Sequence, residues 1–159
     1  MIQNSLIEEK VVDKLKEKKF HVACAESCTG GMIASTLVNV AGVSDVLDVS
    51  FVTYADAAKH RLLGVAEDAL QTYGAVSRQV AEQMAAGAAR AAGAQAAVAV
   101  TGIAGPDGGT PQKPVGLVYI GCSVSGKVVV TENHFKGNRA EIRKQTTQAA
   151  LELLYDCLI

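Results

Sequence analysis

Residues 95–101, QAAVAVT, form an almost continuous apolar run of strand length. A strand with one wet face alternates apolar and polar side chains, so a run without alternation predicts a strand covered on both faces. Covering both faces takes two layers of helix, and helical patterns stand on either side. Upstream, Ser77 caps a long helix over 78–92 whose Ala-rich face packs closely and which Gly93 stops. Before it come a short helical stretch at 66–73, another at 55–63 (ADAAKHRLL) ended by Gly64, and a strand at 48–54 (DVSFVTY). Residues 20–25 read as a buried strand and 29–40 (TGGMIASTLVNV) as a helix capped by Thr29. Ile2, Leu6, Ile7, Val11, Val12 and Leu15 recur at helical spacing with Glu8, Glu9, Asp13 and Lys16 between them, an amphipathic first helix. Downstream, a long loop at 102–114 leads to strands at 115–123 and 127–135, joined through Ser125-Gly126, and then to a helix at about 139–156. Strands alternate with helices for two thirds of the chain and a hairpin closes it. The expected fold is a single three-layer α/β/α domain over 1–159, with a mixed, largely parallel sheet and a C-terminal β-hairpin plus helix.

Composition narrows the function classes. Of 159 residues 49% are hydrophobic but only 4% aromatic, so the core is aliphatic and aromatic platforms for RNA are missing. The 15 basic and 16 acidic residues leave a net charge of -1, against the basic face that nucleic acid requires. No run approaches the roughly 18 apolar residues of a membrane span, and no early stretch resembles a signal peptide. Cys24, Cys28, Cys122 and Cys157 show no C-x-x-C pair and are expected to be reduced and mostly packed. A cytoplasmic protein without metal or cofactor is expected, and the aliphatic, Ala-rich composition suits burial of a surface in a homodimer or higher homo-oligomer.

In a parallel α/β sheet, ligands gather outside the C-terminal ends of the strands. Here 26–31, 53–59 and 101–109 are polar, glycine-bearing strand ends, and they converge on one crevice if their strands are neighbours. In CAESCTGG (24–31), Ser27 stands before a helix start, where the N–H groups of Cys28 to Gly31 are free for an anion or oxyanion and Gly30 and Gly31 let a ligand approach. The bland alternative is that Ser27 and Thr29 merely cap the helix. The second segment offers Tyr54 and Lys59; burial, with His60 and Arg61 adding positive potential, would turn that lysine into a base. Its alternative is a solvated lysine paired to Asp56. The third, TGIAGPDGG (101–109), has the composition of a phosphate loop but fits neither standard phosphate motif, and Asp107-Gly108 equally suits an ordinary turn. Arg139, at the start of the last helix, and Arg143 one turn on are candidate phosphate clamps or a solvated face. Nothing in His21, His60 and His134 singles out a Ser–His–Asp triad.

AESCTGG (25–31), FVTYADAAKHRLLGV (51–65), GAVS (74–77) and TGIAGPDGGTPQKPVGLVYIG (101–121) together resemble the CinA C-terminal domain family, in order and over nearly the whole chain. The resemblance implies a three-layer α/β domain. It also implies, in active members, hydrolysis of a linear amide: the carboxamide of nicotinamide mononucleotide (NMN) is converted to nicotinic acid mononucleotide and ammonia, in pyridine nucleotide salvage. It implies a Ser–Lys pair, here Ser27 and Lys59 with Tyr54 beside them. It implies substrate contacts at Ser44, Thr101 and Arg139, with Arg143 competing for the arginine role; Thr29, Gly30, Gly31 and Gly105 are further candidate contacts from the glycine-bearing strand ends. The implied partner is a small nucleotide, with no nucleic acid, membrane, metal or cofactor. The rival readings are a nucleotide-binding module without turnover and a competence-associated regulatory module.

Overall fold

The computed structural model describes residues 5–159; Ile2 of the expected first helix lies outside the described residues. In chain order the elements are α1 (Ile7–Lys18), β1 (Val22–Glu26), α2 (Met32–Val38), a 3-10 turn (Val43–Asp45), β2 (Phe51–Val52), α3 (Asp56–Leu63), α4 (Glu67–Tyr73), α5 (Arg78–Ala92), β3 (Ala96–Gly102), β4 (Leu117–Val124), β5 (Lys127–His134) and α6 (Arg139–Leu158). One sheet runs in the order β2-β1-β3-β4-β5. The strand β1 pairs parallel with β2 and β3, whereas β3–β4 and β4–β5 are antiparallel, so the sheet is mixed, with its pairs evenly divided.

The apolar run behaves as its pattern predicts. Val98 and Val100 of β3, with Val22 and Cys24 of β1, face α1, α2 and α6 through Val11, Leu15, Ile33, Leu37, Ile142 and Leu154. Ala97 and Ala99, with Ala23 and Ala25, face α3, α4 and α5 through Leu63, Ala69, Val80, Met84 and Ala85. Period-2 alternation thus survives inside the run as large against small, and the small face lets α5 sit close. Ser77 caps α5 by accepting from the Val80 N–H at 3.3 Å, as expected.

Topology brings four chain segments to one end of the sheet. The strands β2, β1 and β3 are parallel neighbours, so the three polar strand ends do converge. Because β4 returns antiparallel to β3, the loop after Gly102 stays at that end. Because β5 ends at His134, paired with Leu117, the chain re-emerges there and α6 starts beside the loop.

Two elements are shorter than expected. The strand at 48–54 contracts to Phe51–Val52, since the Cys24 N–H is met by the Ser50 hydroxyl at 3.3 Å instead of a ladder carbonyl. The helix at 29–40 starts only at Met32, behind a turn. No helix among the described residues is long and apolar enough to cross a membrane.

Candidate functional site

Ser27 follows β1 directly and is half-buried, held by its N–H on the Val100 carbonyl at 3.2 Å. Opposite it, α3 presents Lys59, which is only 1% exposed. The Lys59 Nζ lies 3.2 Å from Ser27 Oγ, 2.8 Å from the Thr53 carbonyl oxygen and 3.3 Å from that of Tyr54. Among the described residues Lys59 makes no ion pair, so the solvated Asp56 pair is absent. Burial lowers its pKa from the ordinary 10.5, with the Asp56 and Cys28 charges opposing weakly. Desolvation does this without the expected help of His60 and Arg61.

The stereochemistry of this contact is informative. As an ammonium Lys59 donates three bonds, to the two carbonyls and to Ser27 Oγ. In its neutral form the two carbonyls would keep the two N–H bonds and leave the lone pair for the hydroxyl. That arrangement suits proton transfer from Ser27 to Lys59.

The turn after Ser27 is held from two sides. Buried Glu26 accepts from the Thr29 hydroxyl at 2.6 Å, the Ile33 N–H at 2.9 Å and the Ala34 N–H at 3.0 Å. Its carboxylate, not Thr29, satisfies the start of α2, where negative charge is favoured. Arg143 donates to the carbonyls of Cys28 at 3.0 Å and Thr29 at 2.9 Å. Gly31 is the residue before α2, at φ +107°, where a side chain would be strained. The Gly30 N–H is taken by the Ser27 carbonyl, but those of Cys28 and Thr29 meet no backbone acceptor among the described residues.

A cavity of about 230 Å³ opens in front of Ser27, lined also by Cys28, Tyr54, Gly102–Gly105, Asp107, Gly108 and Arg139. Arg139 spans its mouth, donating to the Gly105 carbonyl at 2.7 Å and the Tyr54 hydroxyl at 3.1 Å. Burial pushes the Cys28 thiol up to about 11, so beside Ser27 it stays protonated at neutral pH and is a poor nucleophile.

The expected site residues therefore divide. Ser27, Tyr54, Gly105 and Arg139 line the cavity, with Lys59 behind Ser27. Thr29, Gly31 and Arg143 shape the turn, and exposed Gly30 sits beside the Arg143 guanidinium. Thr101 is buried and its hydroxyl donates to the Ala75 carbonyl at 2.8 Å, so it fastens the segment before α5. Ser44 is not brought to the cavity: its 3-10 turn leads into Val46 and Leu47, which pair with Val22 at the opposite end of β1. The histidines stay outside the cavity. Glu26 and the Thr53 carbonyl had no assigned role in the sequence, and Asp107 only that of a turn residue. A carboxylate five residues before Gly31, which precedes α2, was the one available signal for Glu26. No group of three or more His, Cys, Asp or Glu among the described residues is placed to hold a metal ion.

A family model described as the CinA C-terminal domain matches residues 4–158. The nicotinamide-nucleotide amidohydrolase PncC of Enterobacter agglomerans is 51% identical over 139 residues, covering 87% of this chain and 85% of that protein. A relative in Clostridium beijerinckii named for competence-damage induction is 51% identical over 153 residues, but this chain spans only 37% of its length. Among solved structures, the competence/damage inducible protein CihA from Agrobacterium tumefaciens superposes with a TM-score of 0.91 at 45% identity, covering 99% of this chain and 98% of that one.

Proposed function

The chain belongs to the CinA C-terminal domain family, and from that premise we propose that it hydrolyses the carboxamide of NMN to nicotinic acid mononucleotide and ammonia, with Ser27 as nucleophile and Lys59 as its base. The observation that carries this reading is the 3.2 Å contact between Lys59 Nζ and Ser27 Oγ, made by an amine that is buried and has two carbonyls as its other partners. The amidohydrolase name of the Enterobacter agglomerans relative supports it and supplies the substrate.

The reaction follows from the groups present. Neutral Lys59 takes the Ser27 proton as Oγ attacks the amide carbon. The resulting oxyanion is stabilised by the N–H groups of the turn after Ser27, those of Cys28 and Thr29 being unclaimed by backbone. Lys59 then protonates the departing nitrogen, and ammonia leaves an acyl-serine. Water, deprotonated by Lys59, hydrolyses that ester and restores Ser27. Arg139 reaches the substrate phosphate; both its present partners are neutral oxygens, so its full charge is available. The exposed ring of Tyr54 offers its face to the cationic pyridine ring.

Ammonia release from NMN by the purified protein tests the reading. Ser27→Ala and Lys59→Ala should each lower the rate by at least about 100-fold, the scale of general-base catalysis. Variants that keep most of the activity would remove the dyad. NMN bound tightly in calorimetry but never converted would instead identify a nucleotide-binding module.

A further inference from the structure

The cavity in front of Ser27 is lined by two charged residues of opposite sign, Arg139 and Asp107, both exposed. Among the described residues neither makes an ion pair, with the other or with anything else. Asp107 comes from the loop between β3 and β4, which the antiparallel return of β4 holds at this end of the sheet. It also stands on the wall of an adjoining cavity of about 510 Å³ formed by the same loop.

Exposed Asp107 keeps its solvation without a partner, and what its charge bears on is the chemistry at Ser27. Acyl transfer at Ser27 develops negative charge on the carbonyl oxygen, and a fixed negative charge in the same cavity opposes it. The opposition is relieved if the ligand brings a positive charge of its own between them. An anionic group alone would satisfy Arg139 and leave Asp107 repelling it, whereas a ligand carrying both signs satisfies both residues.

We propose that Asp107 is a specificity-determining residue that selects the oxidised, cationic pyridinium ring of a nicotinamide nucleotide over its neutral dihydropyridine form. This deepens the NMN amidase reading and rests on it. The two forms share the ribose, phosphate and carboxamide, so Arg139 and the backbone contacts do not separate them. Only one form carries ring charge, which the Tyr54 face and Asp107 both sense, and the Asp107 variants read the carboxylate's share.

The test compares NMN as substrate with reduced NMN as competitor, in the wild type, Asp107→Asn and Asp107→Glu. Asp107→Asn should raise KM for NMN about tenfold while the inhibition constant of reduced NMN changes less than about twofold, a spread expected for one partly screened charge pair. Asp107→Glu should recover most of the discrimination, which a purely structural role for the loop would not produce. Equal weakening of both ligands by Asp107→Asn would overturn the proposal in favour of a hydrogen bond to the shared ribose, and so would no change in either. A wild type that releases no ammonia from NMN would bring down the amidase reading and this inference with it. A wild type with normal turnover and an unselective Asp107 would bring down the inference alone.

Discussion

At the scale of single residues, the environment of Lys59 sets a pH dependence of definite sign. Burial lowers its pKa, and in the proposed mechanism only the neutral amine accepts the Ser27 proton, so kcat/KM should rise with pH and level off once Lys59 is neutral. Lys59→Arg keeps the positive charge but stays protonated at every accessible pH. It should be as inactive as Lys59→Ala, and a pH–rate profile with activity in the arginine variant would remove the base. The same group leaves a mark on stability. Between the lowered folded pKa and the ordinary 10.5, the unfolded chain binds a proton that the folded protein does not. Stability therefore rises with pH across that window, and the contribution is lost as pH falls through it. Lys59→Met should flatten this slope in denaturant titrations run at several pH values. From residue types alone Ser27 and Lys59 each kept a bland alternative, a helix cap and a solvated pair to Asp56. Their pairing came from the motifs that carry the family resemblance, and the structure brings them to 3.2 Å. The carbonyls of Thr53 and Tyr54 were not legible, because main-chain acceptors carry no residue identity. Thr101 and Arg143 bond to backbone instead, for a related reason: a side chain's type states what it can bind, and only the fold decides whether backbone claims it first.

At the scale of elements, the turn between β1 and α2 depends on two charged side chains that hold it from opposite sides. Glu26 caps α2 from the preceding strand with three short bonds, and Glu26→Gln turns one acceptor oxygen into a donor. Losing one such buried bond to a charged group costs about 2–3 kcal/mol. Denaturant unfolding should show that loss, and a stability unchanged from wild type would mean the cap is dispensable. Arg143 acts through the turn, pinning the carbonyls of Cys28 and Thr29. Arg143→Met should lower kcat more than it raises KM, with Arg143→Lys restoring part of the loss through one carbonyl. A pure KM effect would instead make Arg143 a substrate ligand. This element was only half legible. Thr29 before an apolar run reads as a local cap, yet Thr29 donates its hydroxyl to Glu26, and the cap comes from another element. Local patterns report local bonds. By contrast the hairpin at Ser125-Gly126 was read correctly, because its requirement is local: both residues take positive φ, 50° and 83°.

At the scale of the whole molecule, the layered fold was legible because burial on two faces is written into the strand itself, Val toward one helix layer and Ala toward the other. Strand order was legible only as a condition, since no single strand states its neighbours. The proposed Ser27–Lys59 pair also spans layers, with Ser27 carried by the sheet and Lys59 by a helix outside it. What fixes their separation is the seat of α3 on α5. Gly87 of α5 faces the last residue of α3 so closely that a Cβ there would overlap the Leu63 carbonyl oxygen, and Arg90 donates to that same oxygen at 3.3 Å. Gly87→Ala must therefore push α3 outward. Overpacking of this kind costs about 1–3 kcal/mol, and Lys59 lies one helical turn from the point of pressure. A displacement of about 1 Å at a reacting pair lowers rates by up to about 100-fold, so Gly87→Ala should lose activity well beyond the fraction of protein it unfolds. Gly126→Ala is the matched control. Its Cβ would meet nothing within 4 Å, and it costs about 1 kcal/mol through its left-handed backbone alone. That variant should keep kcat. Equal kcat in both variants, measured well below their unfolding midpoints, would show that the distance from Lys59 to Ser27 is set by something other than the α3–α5 contact.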